Sequence, residues 1–227
     1  FKYLPFNYAK CVPLIFYPNA RAEILKGARI FLSEEFINNR YKKVHIGYDD
    51  NDFAHNCEKT IFRIAGSAKF LGKTLILRGA RLDVNGFFEI GDDAVIGSLS
   101  RIRVYNKVII GDNSRIAHEV QIFDTNFHYI VDVNNFEFKP MSRPIIIGNN
   151  CWIGNRTTIN PGTIIPDFTI VTSNSLVNKD YSDIDPYTLI GGLPCKVIKS
   201  GIVRVWDRKI EHDYKLKEFE WYRNLNK

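Results

Sequence analysis

The sequence predicts an all-β solenoid, with short parallel strands wound into stacked coils, one long loop excursion and a C-terminal α-helix. Three observations carry this: the choice of apolar residues, a six-residue period among them, and one break in that period. The chain has 227 residues, 45% apolar and 25% charged, which suits one domain with a sizeable core. It contains 29 Ile against 14 Val and 14 Leu, with 20 Asn, 15 Gly and one Met. Branching at Cβ suits a pleated surface and crowds a helix, so a helical bundle is excluded.

The aliphatic residues Val84, Ile90, Ile96 and Ile102 lie six apart. The series resumes at Ile110, Ile116 and Ile122, and again at Ile147, Ile153, Ile159, Ile165, Val171 and Val177, making 13 hexads. A small or compact residue usually follows four positions later, as at Ala94, Ser100, Ser114, Val120, Cys151, Thr157, Thr163, Thr169 and Ser175. Gly often comes directly after the aliphatic residue, as in Gly91, Gly97, Gly111, Gly148 and Gly154. A helix would repeat at 3.6 and a meander would hold no fixed register. A period of six means short straight sides with a corner between them, three to a coil, stacked about 4.8 Å apart.

The elements follow in order. Residues 1–19, rich in aromatics, are expected to form an arm or cap over one end, because a bare coil end exposes apolar surface. Residues 20–200 form the coil domain. Its first part, about 20–80, is expected to be distorted, with Ile24, Ile30, Ile61, Ile64, Leu75 and Leu77 on strands and a loop around Tyr48–Asn56. Regular hexads run over 84–182, with a two-residue insertion between Ile102 and Ile110. The loop at 128–146 leaves the coil whole: with it set aside, Ile122 and Ile147 stand one hexad apart. Residues 203–227 read as a charged helix with Trp206, Ile210 and Tyr214 spaced by four, packed on the last coil or on a neighbouring subunit.

Several classes of function are disfavoured. No apolar run approaches the roughly 20 residues of a membrane span, and Cys11–Tyr17 is too short and Pro-punctuated for a signal-peptide core. A cytoplasmic protein is expected. Cys11, Cys57, Cys151 and Cys195 are scattered with no CxxC spacing; reduced thiols are expected, with two disulfides as the alternative. The net charge of +6 fits either a solvated basic surface or an anionic ligand. It includes no block of five basic residues and no basic–aromatic interleaving, so no nucleic-acid partner is expected.

A rigid repeat that ejects one long loop positions it for function. The loop root reads Asp124-Thr125-Asn126-Phe127-His128. The return reads Arg143-Pro144-Ile145-Ile146-Ile147-Gly148-Asn149-Asn150-Cys151-Trp152-Ile153-Gly154, followed by Ile159-Asn160-Pro161-Gly162 and the closing Gly192-Leu193-Pro194-Cys195-Lys196-Val197-Ile198. Through these residues, over about 60–200, the sequence resembles the hexapeptide-repeat acetyltransferases. That group includes galactoside, maltose and xenobiotic acetyltransferases and the O-acetyltransferases of capsule and lipopolysaccharide clusters. The resemblance implies a left-handed parallel β-helix, acetyl-CoA as co-substrate, a homotrimer with sites between subunits, and an acceptor that is a sugar or glycan precursor.

The resemblance also implies site residues. His128 would be the general base, taking a proton from the acceptor hydroxyl; imidazole, with an ordinary pKa of about 6.5, suits this. Asp124 and Asn126 would bind acceptor hydroxyls or orient the imidazole, or else cap the turn, as Asp and Asn often do. Trp152, Asn155 and Ser173 match positions along the pantetheine arm, and Asn178, Lys179, Lys196 and Lys199 match the nucleotide end. Asn and Lys stand where the family often has Thr and Arg, and Lys lacks the bidentate fork. Each Lys therefore reads equally as a solvated side chain. Cys195 is expected to pack, and neither Cys151 nor Cys195 to act as nucleophile.

No metal is expected: of His45, His55, His118, His128 and His212, no two lie five apart as in the zinc β-helix carbonic anhydrases. Two alternatives stand beside O-acetylation, namely N-acetylation of an amino-sugar nucleotide and a non-catalytic β-helix scaffold.

Overall fold

The computed structural model describes residues 13–39, 41–49 and 58–225. Residues 1–12 of the expected arm and 50–56 of the expected loop, with Cys11, His55 and Cys57, lie outside the described residues. The described chain is a parallel β-helix with three faces. The first face carries nine strands from Leu14–Phe16 to Lys196–Ser200, the second seven from Ala20–Ile24 to Leu176–Val177, and the third six from Arg29–Leu32 to Ile164–Ile165. All pairings within the faces are parallel except the last, where Lys196–Ser200 folds back antiparallel on Thr188–Gly191. Among the described residues no helix is long and apolar enough to cross a membrane.

The registers show two coil sizes. From Thr60 to Phe123, partners lie 20 apart, as in Ile61↔Arg81, Arg81↔Arg101, Phe87↔Lys107 and Arg101↔Gln121. After the loop they lie 18 apart, as in Trp152↔Ile170 and Thr158↔Leu176. Between the two regimes the step is 37, one narrower coil plus the loop excursion. The two-residue insertion expected once before Ile110 is therefore a regular part of every wider coil. The looser pattern expected up to residue 80 is confined to the residues before Thr60, where a short helix, Glu34–Asn38, interrupts the winding. The larger coils have more interior to fill and use Phe62, Phe70 and Phe88, with ring centroids 6.3 and 6.4 Å apart; the smaller ones are filled by Ile and Val.

The small residues of the repeat are buried, and their hydroxyls tie neighbouring coils together. Ser114 Oγ donates to Gly148 O (2.8 Å) and accepts from Cys151 N (3.0 Å); Thr163 Oγ1 donates to Val177 O (3.1 Å). Buried polar groups are tolerated only when bonded in this way. One corner carries a ladder of Asp and Asn side chains, each accepting a backbone N–H from the preceding coil. The bonds are Lys73 N to Asp92, Asp92 N to Asp112, Asp112 N to Asn149 and Asn149 N to Asp167, all 2.7–2.8 Å. This ladder explains Gly91, Gly111 and Gly148, since a Cβ on Gly148 would lie 2.4 Å from Asp167 Oδ1; at Gly97 and Gly154 a Cβ would meet the backbone of the next coil instead.

The C-terminal helix runs over Arg208–Leu225, later than the Val203 start expected from the spacing. Asp207 Oδ1 accepts from Lys209 N (2.8 Å) and Ile210 N (3.0 Å) and so sets the helix start. Trp206 therefore belongs to an extended strap, not to a helical stripe. On the helix, Ile210 and Tyr214 are exposed.

The corner ladder carries a pH dependence. Burial raises the Asp92 carboxyl, but hydrogen bonds from Lys42 Nζ (2.6 Å) and from the N–H groups of Lys73 and Asp93 outweigh it and hold Asp92 below its ordinary value. A depressed folded value means stabilisation that is present at neutral pH and lost as pH falls through that value. Asp92→Asn is expected to be less stable than wild type by about 1 kcal/mol at pH 7. Urea unfolding should show that gap closing as pH falls below the ordinary carboxylate range.

Candidate active site

The long loop leaves the coil after the second-face strand Gln121–Phe123 and returns at the third-face strand Ile145–Ile147. Its two ends are zipped together: Asn126 N donates to Met141 O (2.9 Å), Arg143 N to Asp124 O (2.9 Å), and Thr125 bridges Ser142. Arg143 also donates to Pro161 O (3.0 Å), tying the return to the Asn160-Pro161-Gly162 turn. Farther out the loop folds as a hairpin of Ile130–Asp132 and Glu137–Lys139.

Asp124 occupies the base of this arrangement, fully buried. Its oxygens accept from Tyr105 N (2.8 Å) and Asn106 N (2.7 Å). In the coils before it, the matching amide pairs Ala65/Gly66 and Asn85/Gly86 converge on the carbonyls of Val84 and Val104. Asp124 is thus the turn cap of its two sequence readings; its carboxylate is not presented to an acceptor. Burial raises its pKa, opposed by the amide bonds of Tyr105, Asn106 and Lys107.

Phe127 has φ +61° and packs edge-on against Phe123 (5.8 Å) and Tyr105 (5.9 Å), with the Arg103 guanidinium 5.5 Å above its ring. This anchors the backbone next to His128. The His128 imidazole is exposed and makes no hydrogen bond with the described residues, while Asn126 beside it is exposed too. A groove of about 480 Å³ opens beside Phe127, lined by Arg63, Arg81, Arg101 and Arg103 among others. These arginines were missed in the sequence. Their signal is the register of the wider coils, which stacks Arg81 on Arg101 and both Arg63 and Arg103 on Asp83.

The residues expected along the donor lie elsewhere. Trp152 is 40% exposed on the first face, in a row through Ile170 and Leu189 to Lys199. The strap covers part of it: the Arg204 guanidinium sits 5.4 Å over Trp152 and 4.8 Å over Trp206. Asn155 and Ser173, at the corner after that face, are hydrogen-bonded to each other. Asn178 and Lys179 follow the last second-face strand, with Lys179 Nζ 5.0 Å over Tyr181; Lys196 and Lys199 are exposed on the closing antiparallel strand. One chain therefore brings Trp152, Asn155, Ser173 and Lys199 to one side of the coil and sets His128 at a different corner. Cys151 is buried and donates to Pro166 O (3.1 Å); burial pushes its thiol up to about 12, which leaves no thiolate for chemistry at neutral pH. Cys195 is buried under Tyr181, whose hydroxyl donates to its carbonyl (2.9 Å).

No family model matches the sequence. Curated relatives do. The chain is 31% identical over 158 residues to the Escherichia coli K12 protein named as lipopolysaccharide biosynthesis O-acetyl transferase WbbJ, covering 62% of this chain and 70% of that one. It is 35% identical over 137 residues to a Lysinibacillus sphaericus protein named as a macrolide acetyltransferase, covering 58% and 72%. The chain belongs to the hexapeptide-repeat acetyltransferase family.

It is also 40% identical over 94 residues to galactoside O-acetyltransferase of Escherichia coli K12, although this match covers only 40% of this chain and 43% of that enzyme. Among solved structures, the polySia-specific acetyltransferase NeuO superposes with a TM-score of 0.58 at 18% identity, covering 86% of this chain and 78% of that one, a likeness of fold. Family membership makes the protein an acyltransferase and its coil left-handed, against the usual right-handed crossover of parallel strands.

The capping role of Asp124 is testable. Asp124→Ala leaves two buried N–H groups without acceptors and is expected to cost about 2–5 kcal/mol in urea unfolding. Asp124→Asn retains one acceptor and should cost about half as much, with hydrogen exchange accelerated first at Tyr105 and Asn106.

Proposed function

We propose that this protein transfers an acetyl group from acetyl-CoA to a hydroxyl of a sugar or glycan precursor, with His128 as general base. The observation that carries this reading is an exposed imidazole with no hydrogen-bond partner among the described residues, next in the chain to Phe127, which lines the groove, on a loop root whose backbone is anchored. A base must be free to reach its substrate and yet fixed in place, and Phe127 and the zipped strands at Asp124–Asn126 meet the second need.

Acetyl-CoA supplies the activated acyl carbon and a thiol leaving group. His128 takes the proton from the acceptor oxygen as that oxygen attacks the acyl carbon, and returns it to the departing sulfur. Asn126, exposed next to His128, is the hydrogen-bonding partner we assign to the acceptor. For the donor, the exposed ring of Trp152 offers an apolar wall for the pantetheine chain, and the Asn155–Ser173 pair offers polar groups along it. Asn178, Lys179, Lys196 and Lys199 supply hydrogen bonds and charge for the nucleotide phosphates. Direct attack is favoured over an acyl-enzyme, because the thiol of Cys151 is buried and held protonated.

His128 and the donor residues stand at different corners of one coil, which supports a homotrimer whose sites each combine His128 of one subunit with the donor wall of the next. The exposed Ile210 and Tyr214 on the C-terminal helix are surfaces that such packing would cover. O-acetylation is favoured because two of the relatives are named as O-acetyltransferases.

His128→Ala is expected to lower kcat by roughly 10² to 10⁴ while the protein stays folded, since the imidazole is exposed and makes no hydrogen bond with the described residues. Thiol release from acetyl-CoA across a panel of sugars and amino-sugar nucleotides measures this and separates O- from N-transfer; equal rates for mutant and wild type would overturn the assignment. Refolding His128→Ala subunits together with Trp152→Ala/Ser173→Ala subunits should restore activity that neither shows alone. Gel filtration at the mass of one 26.2 kDa chain would exclude the shared site.

A further inference from the structure

The groove beside Phe127 has a composition that acetyl transfer to a neutral sugar does not require. It lies on the outside of the second face, where the register of the wider coils stacks outward side chains directly on one another. Arg81 pairs in register with Arg101, and Arg63 and Arg103 flank Asp83. Asp83 takes Arg63 Nη1 at 2.7 Å and Arg103 Nη2 at 3.1 Å, so one carboxylate orients two guanidinium groups. Arg81 and Arg101 have no ion pair among the described residues. Four cations face one anion along this groove. A second recess of about 400 Å³ is also lined by Arg81 and Arg101, together with Glu58 and the paired Glu119 and Arg156, so these two side chains form a ridge between the arginine groove and a hollow of mixed charge.

We infer that this ridge and groove bind an acidic glycan, an oligosaccharide carrying carboxylates on successive units, and that this glycan is the acceptor. The assignment to the acceptor rests on the catalytic reading of His128 given above. Three features select the ligand. A guanidinium fork matches a carboxylate in plane and spacing, and two such forks are left without partners. The groove spans the coils from Ile61 to Phe123, three steps of about 4.8 Å or about 14 Å, which suits charges spread along a chain better than the compact pyrophosphate of a sugar nucleotide. Phe123 and Phe127 give the groove an apolar end on which the C–H face of a sugar ring packs, and Phe127 is the residue before His128.

Binding is measured by calorimetry without acetyl-CoA, using oligogalacturonate, its carboxyl-reduced neutral counterpart, and UDP-N-acetylglucosamine as probes. Wild type is expected to bind oligogalacturonate at least about tenfold more tightly than the neutral oligomer, with affinity falling as salt rises. Arg81→Gln and Arg101→Gln should each weaken the acidic oligomer about tenfold and leave the neutral one unchanged, with partial recovery in Arg101→Lys. Both side chains lie on the outer surface, so the variants should melt as wild type does. In acetyl transfer the same variants should raise KM for the acidic acceptor more than they lower kcat. Equal binding of acidic and neutral oligomers, tighter binding of UDP-N-acetylglucosamine, or indifference to both Gln variants would overturn the inference. If His128→Ala remains fully active while the acidic oligomer still binds through Arg81 and Arg101, the catalytic reading fails and the glycan site stands. If wild type acetylates neutral sugars without preference for acidic ones and His128→Ala is inactive, the catalytic reading stands and the glycan assignment fails.

Discussion

A stacked coil satisfies its backbone only if each coil finds another beneath it, so a chain that changes coil size must replace the bonds it gives up. In this protein the change falls at residue 124. Before it, each of the wider coils has a corner enlarged by two positions, and the two amides there converge on a carbonyl of the next coil. At the next position in that register the carbonyl of Asp124 is taken by Arg143 N from the returning strand. The side chain of Asp124 stands in for the missing acceptor, one carboxylate oxygen for each orphaned amide. That substitution lets the chain leave the coil at this point, and the loop that departs carries His128.

The rigidity of the site is inherited from the same stacking. Asp124 closes the coil, Thr125 and Asn126 zip to the returning strand, and Phe127 wedges its ring between Phe123 and Tyr105. His128 is the first residue beyond these anchors. The arginines of the second face reach the same place by a different route. Each sits on its own coil, and only the wide register brings positions so far apart in sequence into one groove. On the first face the Arg204 strap lies over Trp152, so the donor wall we propose is shaped by a segment from the far end of the coil domain.

The six-residue period was legible because each inward aliphatic residue is buried for the same reason, and the small residue between them for a second shared reason. The loop length was legible as well: the 19 residues given by the break in period equal the excess of the register step of 37 over that of 18, although Ile145 and Ile146, which the spacing puts in the loop 128–146, lie on the third-face strand. The two-residue insertion was visible before Ile110, but its recurrence was masked, because each wider coil returns to the six-residue spacing on its other sides. The spacing of Trp206 from Ile210 and Tyr214 is helical, and by spacing alone it belongs to the helix. Asp207 caps the helix after it, and a cap acts within the first helical turn, below the span of a periodicity.

By itself the sequence determined the solenoid, its interruption and the residues at the loop root, since these depend on local spacing and on side-chain size at fixed intervals. The tertiary structure alone decided that Asp124 is consumed by the backbone, that Arg204 lies on Trp152, and that four arginines share a groove. Those outcomes depend on which coil lies above which, and that is set by the number of residues per turn.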